Sequence, residues 1–196
     1  VSVMLTFFIV KNLNTDLLFY TVLISAAFFL FFTTLKELFT KKINHISQTI
    51  AHFGFSLLIL SILFNSILSS EVITNIKIGE KYSYNKKEIF LKKVIEKKES
   101  NFNSIIAYFV IQDENGETVE LKPEIRIYNQ PVVITSEAAI KTSLLKDQFL
   151  VMNLVKGNDY FNIRYQVKPF MIWIWISVLL LSFGGIISLF KKRYEK

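Results

Sequence analysis

The chain has 196 residues, 52% of them hydrophobic, with 19 Phe and a mean hydropathy of +0.39. Its 23 Lys and Arg against 16 Asp and Glu give a formal net charge of +7, and it has two His and no Cys. The lack of cysteine excludes a disulfide framework, a thiolate metal site and a thiol nucleophile, so redox chemistry would need a bound cofactor or a partner.

In chain order, the apolar residues fall in blocks. Residues 1–10, VSVMLTFFIV, are apolar but too short to cross a bilayer, and they run straight into Lys11. A secretory signal would put positive charge before the apolar block and a small-residue cleavage site after it, and this block has neither. Residues 1–16 therefore read as the end of a truncated helix followed by an external turn. Residues 17–35, 43–70 and 169–190 contain no charged residue. Each block exceeds the roughly 18 to 20 residues that a helix needs to cross the hydrocarbon core. Core helices of a soluble protein would be shorter and carry a polar face, which the first and third blocks lack. The expected fold class is an α-helical integral membrane protein: three transmembrane helices at about 17–35, 46–68 and 170–190 plus the truncated N-terminal helix, with a small all-β extramembrane domain inserted between spans two and three.

Basic residues in short loops set orientation. Lys36, Lys41 and Lys42 lie between the first two spans of the 17–70 segment, and Lys191, Lys192, Arg193 and Lys196 follow the third span of the 169–196 segment. Both groups belong on the cytoplasmic side, or the matrix side in a mitochondrion, and residues 71–168 on the opposite side. That insert holds 15 Lys or Arg against 13 Asp or Glu, so the surplus charge lies mostly at the membrane flanks. Such a distribution suits topology signals and argues against nucleic acid as a partner.

The insert reads as β structure. Phe161, Ile163, Tyr165 and Val167 alternate with polar residues, as do Val119, Leu121, Ile125 and Ile127 around Pro123. Asn115 and Gly116 suit a hairpin turn, and Gly157, Asn158 and Asp159 separate two further strands. SEAAIKTSLLK, residues 136–146, has no alternation and reads as a loop or a brief helix, and KKVIEKKES as a solvated strand edge and turn.

The second span carries the chemistry. On a helix His45, Gln48, His52 and Ser56 fall on one face, with Thr49 beside them. A polar stripe on an apolar span is expected to turn inward to a helix bundle, and an ionisable residue at that depth is a candidate functional site. Two readings of His52 stand: a packing residue hydrogen-bonded to a neighbouring helix, or a ligand. His45, next to Lys41 and Lys42, reads as a headgroup-level residue. It lies seven residues from His52, about 10 Å along the helix axis. These two side chains cannot bind opposite faces of one haem iron, and there is no third His. Trp173 and Trp175 read as an aromatic belt, and Gly184 and Gly185 as points of close helix packing. No Ser-His-Asp set, phosphate loop or paired carboxylate in a membrane setting occurs.

The order AHFG in a span, PEIRIY and SEAAI in the β insert, then KPFMIWIW leading into a Gly-Gly span and a KRY tail resembles the C-terminal third of the CcmF family of cytochrome c-type biogenesis proteins, from about residue 17 onward. Its most specific residues are Glu124, Arg126 and Tyr128, then Glu137, Ala138, Ala139 and Ile140, then Lys168, Pro169, Trp173 and Trp175. The resemblance implies a system I haem lyase, which receives its transient haem substrate from the haem chaperone CcmE and joins haem vinyl groups to the thiols of a CxxCH apocytochrome c. It also implies a buried haem b held by two histidines on different spans, one of them the AHxG histidine, which falls on His52; the polar stripe would satisfy its second ring nitrogen.

The departures from the family pattern are equally informative. The tryptophan-rich WWD segment and the other three family histidines are absent, and Ile172 stands where the family usually has Arg before Trp-Ile-Trp. The expectation is a C-terminal part or subunit, inactive alone, that pairs with the N-terminal part of the same lyase and meets CcmE, apocytochrome c and its thiol-handling partners. It would sit in a bacterial inner membrane with its β domain in the periplasm, or in a mitochondrial inner membrane with that domain in the intermembrane space. The rival expectation is a non-enzymatic scaffold that presents a β domain to a partner protein.

Overall fold

The computed structural model describes Ser2, Met4 and Thr6 and residues 17–40, 46–155, 157 and 159–194. The three early residues are helical; the rest of the 1–16 segment, and with it the truncated-helix reading, lies outside the described residues, as do His45 and the basic loop at Lys41 and Lys42. The chain divides into two compact units, one built from the helices and the other from residues Ser69–Lys168.

The helical unit contains α1 (Leu17–Thr40), α2 (Ile46–Leu68) and α3 (Met171–Tyr194). All three are long and apolar enough to cross a membrane. Helix α1 continues past the expected end at residue 35, through Lys36 and Glu37, because those residues cost a helix little once it leaves the apolar layer. Ile24, Ala27 and Phe28 of α1 pack on Leu60 of α2, with Phe28 edge-on to Phe64 at 5.9 Å. Between α2 and α3 the backbones meet. A Cβ added at Gly54 would lie 2.9 Å from the Leu181 amide nitrogen, and one at Gly184 would lie 2.8 Å from the Ala51 amide nitrogen. Hydrogen in place of Cβ is what permits this approach, the usual means by which small residues bring membrane helices together. Gly185 faces open space and takes no part, contrary to the pairing expected of it.

At the start of α3 the chain passes through Phe170 in the left-handed region (φ 57°), an uncommon state for a bulky residue. It is held there from α2: Asn65 Nδ2 donates to the Pro169 carbonyl at 2.7 Å, and the Phe64 and Phe170 rings lie 5.3 Å apart.

The second unit is a β-sandwich. Its strands are β1 (Ser70–Ile76), β2 (Lys81–Tyr84), β3 (Lys87–Lys98), β4 (Phe102–Asp113), β5 (Thr118–Leu121), β6 (Glu124–Asn129), β7 (Val132–Glu137), β8 (Ala139–Lys141), β9 (Lys146–Leu154) and β10 (Phe161–Pro169). One sheet has the order β1-β10-β9-β8; the other has β2-β3-β4-β6-β7, with β5 paired to β4. The inner faces meet in a core of Ile76, Leu150, Met152, Ile163 and Tyr165 from the first sheet and Ile89, Leu91, Ala107, Phe109, Ile111, Leu121 and Ile125 from the second. The alternation that predicts the last strand is the buried-and-exposed alternation of β10, and Pro123 divides β5 from β6. The β4–β5 turn is built around Gly116 (φ 81°), with Asp113 Oδ1 accepting from the Asn115 and Glu117 amides. The β9–β10 turn contains Gly157 (φ 80°); Asn158 lies outside the described residues.

SEAAIKTSLLK is neither loop nor helix over its first half. Ser136 and Glu137 end β7 against β6, and after Ala138 the chain crosses to the other sheet, where Ala139, Ile140 and Lys141 pair with Leu150, Phe149 and Gln148. The pairing comes from β9, a long-range partner that overrides weak local propensity. The KKVIEKKES segment does form a strand and turn, closed by the Glu99 amide donating to the Phe102 carbonyl at 2.9 Å.

Candidate functional site

Helix α2 lies between two neighbours, and its three faces have separate duties. Toward α3 it turns Ser47, Ala51 and Gly54, a small-residue series spaced by four and three. Toward α1 it turns Phe53, whose ring lies 5.6 Å from Phe31, and the fully buried Ser56. Ser56 Oγ and Thr34 Oγ1 are hydrogen-bonded at 2.8 Å; whichever accepts keeps its proton for its own helix, Ser56 for the Phe53 carbonyl or Thr34 for the Leu30 carbonyl. The third face carries Gln48, His52, Phe55 and Ile62, and all four are exposed.

This arrangement corrects the expectation that the polar stripe turns inward as a unit. Ser56 and Thr49 are buried among the helices, whereas Gln48 and His52 face away from them. The physical reason is the close contact at Gly54. Two residues of an α-helix subtend roughly 200°, so setting Gly54 against α3 turns His52 to the far side. The small-residue series was the sequence signal for this, since Ser47 and Ala51 stand one turn apart with Gly54 following; reading AHFG for its histidine alone overlooks its glycine. Phe55, 50% exposed, lies one turn from His52 on the same face, and Ile62, 48% exposed, extends that face about 15 Å further along the axis.

Among the described residues no group of three or more His, Cys, Asp or Glu could hold a metal ion. The open face thus offers one imidazole, with Gln48 one turn toward the helix N-terminus and Phe55 one turn toward the C-terminus.

The other marked residues have structural explanations. Glu124 Oε2 accepts from Arg126 Nη2 at 3.0 Å and Glu124 Oε1 from Ser104 at 2.7 Å, while the Arg126 guanidinium covers the Phe102 ring at 5.2 Å and the Tyr128 ring lies 5.3 Å from Phe102. Arg126, then the Ser104 hydroxyl, holds the Glu124 carboxyl below its ordinary value, and Glu124 in turn raises the guanidinium. Ser104, Phe102, Glu124, Arg126 and Tyr128 all sit on the outward face of the six-stranded sheet. Lys93 and Lys122 roof Tyr108 on that same face, at 4.6 and 5.1 Å from its ring centre. Long basic side chains here cover apolar area with their stems. Trp173 and Trp175 lie in the first turns of α3, with Trp175 64% exposed, as a membrane-interface anchor would be.

Three helices able to cross a bilayer, with a β-sandwich between the second and third in chain order, define an integral membrane protein carrying a sandwich domain. Residues 67–169 match the family model described as the CcmF C-terminal beta-sandwich, and the chain belongs to that family. Its relatives include the cytochrome c-type biogenesis protein CcmF of Escherichia coli strain K12, 31% identical over 147 residues that make up 74% of this chain and 23% of that protein. The cytochrome c-type biogenesis protein NrfE of Haemophilus influenzae is 23% identical over 178 residues, 89% of this chain and 28% of that protein. A solved structure named Cytochrome c Heme Lyase CcmF superposes with a TM-score of 0.68 at 16% identity, covering 94% of this chain and 32% of that one; at this identity the likeness is one of fold. The chain thus spans about a quarter of the length of the curated relatives it matches.

Proposed function

We propose that this chain is part of a cytochrome c maturation haem lyase in which His52 supplies one axial ligand to a buried b haem. The observation that carries the reading is the position of His52 on the one face of α2 that neither α1 nor α3 covers. A ligand on an outward face can be met by a second histidine from a helix outside this chain. A ligand turned into the three-helix unit would be enclosed by side chains that offer no second imidazole. The chain's own residues would then act in three ways: His52 binds, Phe55 one turn away keeps that side of the site apolar, and the Gly54 contact fixes the direction in which the imidazole points. The haem, when bound, supplies one-electron chemistry.

The relatives named as cytochrome c-type biogenesis proteins support the wider assignment. On this reading the partners are the N-terminal part of the same lyase, the haem chaperone CcmE, and apocytochrome c with its thiol-handling proteins. The basic residues at the C-terminal end of α3 and beyond it face the cytoplasm or matrix, and the β domain faces the periplasm or intermembrane space.

The test is to co-express the chain with the remaining part of a full-length relative and to record the absorption spectrum with and without His52→Ala. The wild-type assembly is expected to give a low-spin b-haem spectrum, and the substitution to abolish it or convert it to a five-coordinate form. A Soret band indifferent to the substitution overturns the ligand assignment. No haem in the wild-type assembly favours a scaffold that only presents the β domain.

A further inference from the structure

His52 shares its open face with Gln48, one helical turn toward the N-terminus. Both side chains are exposed, and among the described residues neither has a hydrogen-bond partner. The other polar groups of the stripe are already engaged: Ser56 bonds to Thr34 and to the Phe53 carbonyl, and the 3% exposed Thr49 also has a partner. Helical side chains lean toward the helix N-terminus, which brings the His52 imidazole within reach of the turn that carries Gln48 and not of the turn that carries Ser56. Residues four apart bring their Cβ atoms to about 5–6 Å, which a glutamine amide and an imidazole can span with one hydrogen bond. In an apolar layer each group otherwise lacks a partner, and an unpaired amide there is costly.

We propose that Gln48 is the positioning residue for His52: its Oε1 accepts the Nδ1–H of the imidazole, which leaves Nε2 unprotonated and directed off the open face as the ligating nitrogen. What Nε2 ligates rests on the function proposed above; the Gln48–His52 bond does not. Such a bond fixes both tautomer and ring orientation and strengthens the donor nitrogen, as carboxylate or carbonyl partners do for metal-bound histidines generally. Gln48 contributes this without adding a charge to the span.

The experiment has a haem-free arm and a loaded arm. In the first, the full chain with His45→Gln is labelled with 15N at histidine and studied in detergent micelles without haem, so that a single imidazole reports. The Nδ1–H tautomer is expected to dominate. Gln48→Leu should shift the population toward Nε2–H, the form that an unpaired histidine side chain prefers in water, and Gln48→Glu should restore Nδ1–H. In the second arm, the assembly with the rest of a full-length relative should retain haem about tenfold less well with Gln48→Leu. Its midpoint potential should rise with Leu and fall with Glu. Identical tautomer populations in wild type and Gln48→Leu overturn the proposal. Absence of haem from the wild-type assembly would sink the proposed function but leave the tautomer comparison to decide on Gln48.

Discussion

Tyr165 joins the two sheets of the sandwich through one hydroxyl. It is fully buried on β10, donates to Gln148 Oε1 on β9 at 2.6 Å, and accepts from Lys87 Nζ of β3 at 3.0 Å. Burial holds the Lys87 amine below its ordinary value and raises the Tyr165 phenol, so the phenol stays neutral and keeps its proton for Gln148. Tyr165→Phe would leave Gln148 unpaired and Lys87 without its acceptor, and should cost about 1–3 kcal/mol of β-domain stability; urea unfolding followed by amide exchange in β9 and β10 measures it. The acidic limb of stability should come from Glu124 and Glu71. Arg126, chiefly, depresses the Glu124 carboxyl, and Arg164 and then Gln166 depress that of Glu71. For carboxyls held below their ordinary value of 4.5, the stabilising contribution is complete above that pH and is lost as pH falls through the depressed value. Melting of the β domain should therefore be flat from neutral pH down to that point and then decline, with a shallower decline in Glu124→Gln.

At the scale of elements, the closest packing in the helical unit makes a sharp comparison possible. A methyl at Gly54 or Gly184 would meet backbone atoms of the facing helix, which cannot swing aside, whereas one at Gly185 meets nothing. Gly54→Ala and Gly184→Ala should each destabilise the helical unit by about 1–3 kcal/mol, and Gly185→Ala should leave it unchanged or gain up to about 1 kcal/mol of helix propensity. Thermal unfolding in detergent, read by far-UV circular dichroism, distinguishes them. The spans were legible in the sequence because charge is excluded from lipid so strictly that uncharged runs such as 43–70 have few other readings. Strand β10 was legible because one face is buried and the other wet. SEAAI was not, because its residues alternate weakly and its pairing is set by β9, remote in sequence. Helical periodicity placed Gln48 and His52 together correctly but put Ser56 with them, because it says nothing of which neighbour covers which face. That takes the Gly54 contact.

For the whole molecule, the helical unit leaves a histidine-bearing face uncovered while the sandwich has a closed core of its own. With His52 the one histidine on that face among the described residues, the chain by itself should bind haem weakly and with one protein ligand. Titrating the isolated chain with haem should give no bis-imidazole low-spin spectrum until free imidazole or the rest of a full-length relative is added. A low-spin form from the chain alone, at a stoichiometry of one haem per chain, would contradict this.

The glycine contact between α2 and α3 also acts as an angular reference. Because the two backbones touch at Gly54 and Gly184, α2 has little freedom to roll about its own axis, and the bearing of every side chain on it is set from that seam. Added bulk there would turn the helix as well as loosen it, so a packing defect on one side would emerge as a misaimed imidazole on the other.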